Sequence, residues 1–509
     1  MPKYKIFAAI ELGSAAIIMK IAQMTKKDGV KVIDSVKYDI TLGSEVYRGG
    51  RISTETAEEI CICLERCKQL MESYGTEEYS CYATTAVREA GNKDYLLDQI
   101  KIKCGLKVRI ITAAEESFLH NKAFALGCDA FDDMIAMGTV IVDVNSGNTQ
   151  VSYYDCGRLV FSQEMPIGAL RALELMDKVH DAPVGFAGLL EDYISARVKS
   201  DKQTFFKAEN YSYIAVTGAL AGIIRRISGS DDGFVNKEQM DYAYNKLRES
   251  SVGEISEEYG VSDYEAELLF PTVLIYKMFT AHSSGKRILV REVLTASGMC
   301  VEYAEKNGYT HTKHRFTNDI VSAAQNYAAK FNVNERVWRE TDGFAEVIFN
   351  SIAKKVGLTK QHLLLLKLAA LFADTGKYIN LNGYSKHSCG IVKANPIPGL
   401  REKQQNAVAY AVGMLEGSIE NDDEYRYLPS EEKVLASKLS AILQLARSLV
   451  MTDNERINGI KAVFRDDVLK ITADTKSDIT IERFAFEKVR PFFKEVFGFE
   501  AELVMKKTR

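Results

Sequence analysis

One pattern occurs twice in the chain: an apolar strand ends in an acidic residue, a short polar turn follows, and a second strand runs back. Residues 4–24 show it around Glu11, which precedes Leu-Gly-Ser, and residues 139–155 show it around Asp143, which precedes Val-Asn-Ser. Each copy opens a segment rich in further strands and helices. The repeat therefore predicts a two-lobed α/β unit with a ligand cleft between its lobes.

The rest of the chain predicts further domains, as a length of 509 residues requires. Apolar spacing indicates a helix over 52–73, and a strand, a turn and a helix are expected over 213–227. After a polar linker near residue 305, the periodicity over 318–448 is almost entirely helical, and the tail predicts two strands, a helix and a strand. We expect a multidomain α/β plus all-α protein: a first lobe over 1–124, a second over 125–305, a helical domain over 306–450 and a small α+β domain over 451–509.

Composition narrows the class of protein. Apolar residues make up 46% of the chain and charged residues 26%, which suits a globular core. The 65 basic and 69 acidic residues give a net charge of −4, so no overall basic field predicts binding to nucleic acid. No apolar run reaches the roughly 18–20 residues of a membrane span, and Glu11 interrupts the N-terminus too early for a signal peptide. We therefore expect a cytoplasmic protein whose nine cysteines are buried free thiols.

Two adjacent acids at a predicted helix start have different expected roles. Thr112 and Glu115 fit the Thr-x-x-Glu capping box. Glu116 lies one residue further, about 100° around the helix, so the cap does not account for it. Glu116 is either a solvated acid of the first turn, which is the commoner case, or a functional carboxylate.

Asp143, Arg88 and His387 are further candidates. Asp143 ends an apolar run and opens the turn Val-Asn-Ser-Gly-Asn-Thr-Gln, a shape typical of a strand that delivers a loop to a phosphate. Its carboxylate either caps the turn or binds a metal ion. Arg88 either lies on the surface or binds a phosphate with its guanidinium. His387 has no evident metal-binding partners, and no nucleophile elbow for Ser-His-Asp catalysis is present.

Several stretches, taken in order, resemble the Ppx/GppA family of exopolyphosphatases and guanosine-pentaphosphate phosphohydrolases. They are Ala-Ile-Glu-Leu-Gly-Ser at 9–14, Ala-Thr-Thr-Ala-Val-Arg-Glu-Ala-Gly-Asn at 83–92, Thr-Ala-Ala-Glu-Glu-Ser at 112–117 and Asp-Val-Asn-Ser-Gly-Asn-Thr-Gln at 143–150. Shorter similarities lie at 166–171, 217–218, 297–299, 373–379 and 387–395. No single motif is decisive, but their order and spacing extend over essentially the whole chain.

The resemblance implies a fold and a reaction. The family belongs to the actin-like ATPase superfamily, which implies two ribonuclease-H-like lobes, followed here by an HD-like helical domain and a small tail, with a homodimer as the usual assembly. The implied reaction releases terminal phosphate from inorganic polyphosphate, with guanosine pentaphosphate (pppGpp) as a second substrate. Glu116 is implied as the catalytic base, and Asp143 with Glu11 as the ligands of Mg²⁺. The terminal phosphates are implied to be held by Arg88 and by the backbone amides of the loop residues Gly13, Ser14, Ser146, Gly147, Asn148 and Thr149.

The chain departs from the family pattern in both phosphate loops. Ala15 and Ala16 remove polar groups, and Gln150 replaces a Glu that would help to neutralise Mg²⁺. Asn145 and Ser146 replace glycines, so we expect positive φ angles at residues that adopt them less readily. These changes predict weaker binding of phosphate and Mg²⁺ and slower turnover.

The helical domain departs as well. Ala373 stands where an HD-type site has its His, and no His lies near Thr341 and Asp342, so we expect no catalytic metal there. The domain is expected to act as a scaffold or as a surface that holds polyphosphate. The residues of that surface would be Lys386, Lys393, Arg401 and Lys403.

Two functions remain open from the sequence. The retained Glu116, Asp143 and Arg88 favour a hydrolase, which is the preferred hypothesis because the base matters most for the chemical step. The altered loops favour the alternative, a catalytically weakened or inactive protein that senses polyphosphate or a guanosine nucleotide. An actin-like sugar kinase is a weaker third hypothesis, since the chain lacks a glycine-rich adenosine loop.

Overall fold

The structure is a computed structural model that describes residues 4–176, 186–205, 211–281, 286–309, 314–417, 419, 422–451, 456–475 and 477–507. Its contacts divide the chain into two compact units, Met1–Asp319 and Ile320–Arg509. Within the described residues, every helix is too short or too polar to cross a membrane. Eight of the nine cysteines are buried, Cys156 is exposed, and all nine are free thiols.

The first unit begins with a five-stranded sheet of order β3-β2-β1-β4-β5. β1 pairs antiparallel with β2, and β4 lies parallel to β1 on its other side. The strands are β1 (Lys5–Leu12), β2 (Ala16–Thr25), β3 (Gly29–Asp39), β4 (Tyr79–Ala83) and β5 (Val108–Ile110). The helices among them are α1 (Leu42–Gly49), α2 (Thr54–Ser73), α3 (Thr85–Glu89), α4 (Lys93–Cys104) and α5 (Ala113–Leu126).

Helix α2 shows why these elements form where the sequence predicts them. Ser53 caps it, because the Ser53 hydroxyl accepts a hydrogen bond from the amide of Thr56 at 3.1 Å. The buried residues of α2 recur at helical spacing and pack in the core of this sheet: Ala57, Ile60, Leu64, Cys67 and Met71.

A six-stranded sheet of order β10-β11-β9-β6-β7-β8 completes the first unit. Its strands are β6 (Thr139–Val144), β7 (Thr149–Asp155), β8 (Arg158–Met165), β9 (Tyr213–Gly218), β10 (Phe234–Val235) and β11 (Arg287–Glu292). The helices of this part are α6 (Phe131–Ala136), α7 (Ala169–Met176), α8 (Phe186–Phe205), α9 (Ala221–Ile227), α10 (Lys237–Glu249), α11 (Val252–Tyr259), α12 (Asp263–Thr280) and α13 (Thr295–Asn307).

The two sheets share one plan. In each, the acid-tipped strand forms a hairpin with the next strand and lies parallel to a third: β1 with β2 and β4, β6 with β7 and β9. The repeat in the sequence is therefore confirmed. Helix α13 follows the second sheet in the chain but packs against β1, β2 and α5, where Lys20 Nζ donates to Ser297 Oγ at 2.7 Å.

The second unit is helical and ends in a small sheet. Its helices are α15 (Glu335–Val356), α16 (Lys360–Phe372), α17 (Tyr384–Ala394), α18 (Glu402–Gly413), α19 (Asp423–Tyr427) and α20 (Ser430–Ser448), with 3₁₀ turns at Thr375–Tyr378 and Met414–Glu416. Helix α14 (Phe316–Ala329) spans the division between the units. The sheet has the order β12-β13-β14 and consists of β12 (Ile457–Arg465), β13 (Val468–Thr475) and β14 (Glu500–Lys507), with α21 (Thr480–Phe497) before the last strand.

Candidate active site

The turns of the two hairpins line one cleft in the first unit. Residues that line it include Glu11, Gly13, Ser14, Thr84 and Glu116 from the first half, and Asn145, Ser146 and Gly147 from the second. Ala15, Ala219, Leu220 and Leu268 add an apolar part to the wall. The fold thus brings the predicted base and the two predicted phosphate loops into one place.

The capping box at the start of α5 forms as predicted. Thr112 Oγ1 accepts from the amide of Glu115 at 3.2 Å, and Glu115 Oε2 accepts from the amide of Thr112 at 3.1 Å. Arg109 Nη1 donates to the other oxygen of Glu115 at 2.6 Å. Glu115 is therefore tied to the helix end, and its neighbour Glu116 is the acid that lines the cleft.

Glu116 is a buried carboxylate, only 3% exposed, and not a solvated acid of the first turn. Its Oε2 has no hydrogen-bond partner in the described part of the chain. Burial raises the pKa of Glu116 to about 7, although the charges of Arg88 and His120 oppose this. A carboxyl group with this pKa takes up and releases a proton near neutral pH, as a general base must.

Arg88 is fixed beside Glu116 by its other contacts. Its Nη1 donates to the carbonyl of Ile111 at 2.8 Å and lies 3.5 Å from Glu116 Oε2. Its Nη2 donates to Thr85 Oγ1 at 3.0 Å and lies 3.5 Å from Glu164 Oε1. Arg88 is thus partly buried between two carboxylates, which holds a cation next to the candidate base.

Asp143 is surrounded by hydrogen-bond donors. Its Oδ2 lies 2.5 Å from His120 Nδ1 and accepts from Asn145 Nδ2 at 2.8 Å, and its Oδ1 accepts from Thr217 Oγ1 at 2.7 Å. Burial acts to raise the pKa of Asp143, but His120 and the hydrogen bonds outweigh it and the pKa is lowered. A carboxylate has about four acceptor positions, so about one remains for a metal ion or a water molecule.

His120 is the residue that sequence reasoning missed. It is buried on α5, one turn after Glu116, and its Nε2 lies 2.8 Å from Thr295 Oγ1. Burial acts to lower the pKa of His120, but the charge of Asp143 and the hydrogen bond to it outweigh burial and raise the pKa to about 9. The spacing of four residues from Glu116 is the one signal in the sequence that puts both side chains on the same helix face.

The second predicted phosphate loop is held by hydrogen bonds within the loop and to neighbouring residues. The amide of Asn145 donates to the carbonyl of Asn148 at 2.9 Å, and Arg171 Nε donates to the carbonyl of Gly147 at 2.6 Å. This loop is fully described and none of residues 145–148 has a positive φ, so the expectation of strained angles there was wrong. Gly147 is needed for another reason, since a Cβ at this position would overlap the Tyr47 hydroxyl.

Two residues of the predicted phosphate loop bury their side chains. Asn148 and Thr149 are fully buried; Asn148 Nδ2 donates to Glu164 Oε1 at 2.6 Å, and Thr149 Oγ1 donates to the carbonyl of Ile167 at 2.7 Å. Gln150 is buried too, and its Nε2 donates to the carbonyl of Ala113 at 3.2 Å. In this part of the loop the side chains hold the structure together.

The first phosphate loop is tied to the second through Tyr47. The Ser14 and Tyr47 hydroxyls lie 2.8 Å apart, and Tyr47 also contacts the second loop at Gly147. The amide of Gly13 donates to the carbonyl of Ala16 at 2.9 Å, which closes the turn. The two loops therefore form one connected floor of the cleft.

Glu11 completes the acidic part of the cleft. Its Oε2 accepts from the amide of Ala296, at the start of α13, at 3.0 Å. In the part of the chain that the structure describes, no group of three or more His, Cys, Asp or Glu side chains is placed to hold a metal ion. Carboxylate oxygens are nevertheless the donors that Mg²⁺ prefers, and Mg²⁺ needs only one or two of them besides water and phosphate.

Two family models match this chain. Residues 18–205 match the Ppx/GppA phosphatase family, and residues 321–483 match Ppx/GppA phosphatase, domain III. The chain belongs to the Ppx/GppA phosphatase family. The resemblance seen in its motifs is thereby confirmed, over both units.

Curated relatives of this Ppx/GppA chain differ in length and name. A bifunctional 3-dehydroquinate synthase/phosphatase of Fusobacterium nucleatum is 24% identical over 232 residues, which are 42% of this chain and 34% of the relative. Exopolyphosphatase 1 of Mycobacterium leprae is 20% identical over 223 residues, 43% of this chain and 64% of the relative. A guanosine-5'-triphosphate,3'-diphosphate pyrophosphatase of Photobacterium profundum is 20% identical over 469 residues, 89% of this chain and 88% of the relative. The chain thus spans less than two thirds of the first two relatives.

Solved structures share the fold. An exopolyphosphatase-like protein has a TM-score of 0.53 at 17% identity, with 60% of this chain and 99% of that chain covered. An exopolyphosphatase from Cytophaga hutchinsonii has a TM-score of 0.51 at 15% identity, with 59% of this chain and 98% of that chain covered. At these identities the likeness concerns the fold of mixed α/β sheets and helices, which agrees with the expected fold class.

The predicted polyphosphate-holding residues lie on neighbouring helices of the second unit. Lys386 and Lys393 are on α17, and Arg401 and Lys403 are at the start of α18. Lys393 Nζ donates to Glu424 Oε2 at 2.7 Å, and Lys403 Nζ lies 3.8 Å from Glu432 Oε1. These ion pairs reduce the positive charge that the surface offers to a polyanion.

Proposed function

We propose that this Ppx/GppA protein is a phosphoanhydride hydrolase that releases terminal phosphate from inorganic polyphosphate, with pppGpp as a second substrate. The observation that carries the proposal is Glu116: a buried carboxylate with a pKa raised to about 7 by burial and an unbonded oxygen, in a cleft lined by both hairpin turns. The names of the Mycobacterium leprae and Photobacterium profundum relatives support this reaction class.

In the proposed reaction Glu116 accepts a proton from water. The water oxygen forms a bond to the terminal phosphorus while the bridging P–O bond breaks, and the shortened chain leaves with the bridging oxygen. Arg88, 3.5 Å from Glu116, would bind an oxygen of the transferred group and balance its charge.

The hairpin turns would hold the terminal phosphates. We assign this role to Gly13, Ser14, Ser146, Gly147, Asn148 and Thr149. Since the side chains of Asn148 and Thr149 are buried and bonded inward, their contribution would come from the backbone. The amide of Gly13 is engaged within its turn, so phosphate binding there requires that this turn opens.

Glu11 and Asp143 are the residues that would hold Mg²⁺. Their donors are hard carboxylate oxygens, and Asp143 keeps about one acceptor position beside its three hydrogen bonds. When bound, Mg²⁺ shields the negative charge of phosphate oxygens. The neighbouring His120, with its pKa raised to about 9 by Asp143 against the opposing effect of burial, is a cation at neutral pH and lowers the affinity for Mg²⁺.

The proposal also covers the domain organisation, assembly and location of the protein. We propose the division into lobes 1–124 and 125–305, an HD-like helical domain 306–450 and a tail 451–509. We also propose a cytoplasmic homodimer in which Lys386, Lys393, Arg401 and Lys403 guide long polyphosphate.

Phosphate release from long-chain polyphosphate with Mg²⁺ tests the function, with wild type compared to Glu116→Ala and pppGpp assayed in parallel. We expect release by wild type that disappears in the variant. If neither protein releases phosphate but either substrate still binds, the protein is a sensor and not a hydrolase. Release that survives in Glu116→Ala would exclude Glu116 as the base.

A further inference from the structure

The helical unit contains a cavity that has no role in the function proposed above. It lies where the chain after α14, the first half of α15, the 3₁₀ turn Thr375–Tyr378 and the end of α20 meet. The polar residues that line it include Thr341, Asp374, Lys377 and Arg447, and the apolar residues of its lining include Phe331 and Val337.

Two cations share one carboxylate oxygen in this cavity. Arg447 Nη2 lies 2.6 Å and Lys377 Nζ lies 3.0 Å from Asp374 Oδ1. Burial acts to raise the pKa of Asp374, but the two cations outweigh it and the pKa is lowered, so Asp374 is ionised. The three charged side chains that line the cavity leave it with a net charge of +1. A partly enclosed excess charge of this kind is balanced most simply by an anion.

Thr341 adds an unpaired hydroxyl at the same wall. The residue is 0% exposed, and its Oγ1 has no hydrogen-bond partner among the described residues. Buried hydroxyls are nearly always hydrogen-bonded. A ligand oxygen in the cavity would supply the partner that the protein lacks.

The apolar side accepts a flat group. The rings of Phe331 and Tyr378 lie edge to face, with centroids 6.0 Å apart, and Val337 lines the same cavity. Such a surface favours an aromatic ring. An apolar wall opposite a few convergent polar groups is the usual form of a small-molecule site.

We propose that this cavity binds a phosphate monoester carried on an aromatic group. The phosphate lies between Lys377 and Arg447 and accepts a hydrogen bond from Thr341, while the aromatic group packs on Phe331. Phosphate suits the two cations because it is a dianion with three acceptor oxygens, whereas a carboxylate offers one charge. The site is a second binding site of the chain and does not depend on the reaction proposed for the cleft.

Calorimetric titration of the full chain with phenyl phosphate tests the proposal. We expect Lys377→Gln to weaken binding about tenfold, through the loss of one charge-assisted hydrogen bond. Thr341→Val should weaken it roughly fivefold without lowering the unfolding temperature, because the hydroxyl has no partner in the protein to lose. Inorganic phosphate should bind at least about tenfold more weakly than phenyl phosphate, since it leaves the apolar side unfilled.

Two control variants make the result specific. Lys360→Gln removes an exposed lysine of α16 outside the cavity, and Arg88→Gln changes the cleft of the first unit; both should leave this binding unchanged. The proposal is overturned if wild type gives no saturable heat at millimolar phenyl phosphate. It is equally overturned if Thr341→Val and Lys377→Gln bind as wild type does, or if Arg88→Gln removes all binding.

Discussion

Replacing Glu116 by Gln should make the protein more stable at alkaline pH while it removes the activity. Glutamine keeps the shape of the side chain but cannot accept the proton of water. Glu116 is 3% exposed and its Oε2 has no hydrogen-bond partner in the described part of the chain. Arg88, 3.5 Å away, offsets the burial of the ionised carboxylate only in part, so ionisation of Glu116 destabilises the folded protein. Removal of that charge lowers the free energy of the folded state and leaves the free energy of the unfolded state unchanged.

The magnitude follows from the pKa of Glu116. Burial raises it from the ordinary 4.5 to about 7, and each pH unit between the two values corresponds to ~1.4 kcal/mol. Because the folded protein holds its proton more tightly than the unfolded chain, ionisation begins to destabilise the fold above pH 4.5 and the effect levels off above pH 7. The free energy of unfolding of Glu116→Gln should therefore exceed that of wild type by about 3 kcal/mol at pH 8 and by less than about 1 kcal/mol at pH 5.

Urea unfolding of wild type and Glu116→Gln at both pH values measures the stability, and phosphate release from polyphosphate measures the activity. The activity should fall at least about a hundredfold, the range for a lost general base. Glu115→Gln is the matched control, because Glu115 bonds to Thr112 and Arg109. The free energy of unfolding of Glu115→Gln should fall by about 1–2 kcal/mol at both pH values, and its activity should stay that of wild type. A Glu116→Gln protein that is no more stable at pH 8 than wild type would refute the reasoning.

Three further predictions concern the neighbours of this base. His120→Gln should lower the free energy of unfolding by about 3–5 kcal/mol, because Asp143 then lacks its buried cation; urea unfolding measures it, and a loss below about 1 kcal/mol would contradict the pairing. Gly147→Ala should lower the free energy of unfolding by about 1–3 kcal/mol, because the new Cβ overlaps the Tyr47 hydroxyl. Adding Tyr47→Phe should restore part of this stability in a double-mutant cycle. Chelation with EDTA should stop phosphate release, and added Mg²⁺ should restore it. Glu11→Gln should raise the Mg²⁺ concentration that gives half-maximal phosphate release roughly tenfold. If that concentration is unchanged, Glu11 is not a ligand of the metal ion.

The parts of the fold that local sequence controls were predictable. The hairpins around Glu11 and Asp143 follow from apolar strands joined by polar turns, and both form. The capping box between Thr112 and Glu115 uses residues three apart, so the sequence shows it directly. It accounts for Glu115 but leaves the role of Glu116 open, and only the structure shows that Glu116 lines the cleft.

The parts that depend on distant contacts were not predictable. His120 gains its role from Asp143, 23 residues away, and from Thr295, 175 residues away. The expected positive φ angles in the second loop are absent, and the need for Gly147 comes instead from the close approach of Tyr47, from another part of the chain. In both cases the deciding partner lies far along the sequence, where neither spacing nor residue preference carries a signal.

The return of α13 to the first sheet limits how the cleft can open. The chain passes from the first sheet to the second after α5 and comes back at α13, which packs against α5 and is joined to it by the 2.7 Å ion pair of Lys122 and Glu305. Because the two crossings lie side by side, we expect any opening of the cleft to be mainly a rotation about the line that joins them. The bond from the Ala296 amide to Glu11 lies at the start of this helix, so the acidic end of the cleft should stay near this axis and the opposite mouth should move most. In the proposed reaction we therefore expect a substrate chain to enter from that mouth, with its terminal phosphate against the wall that moves least.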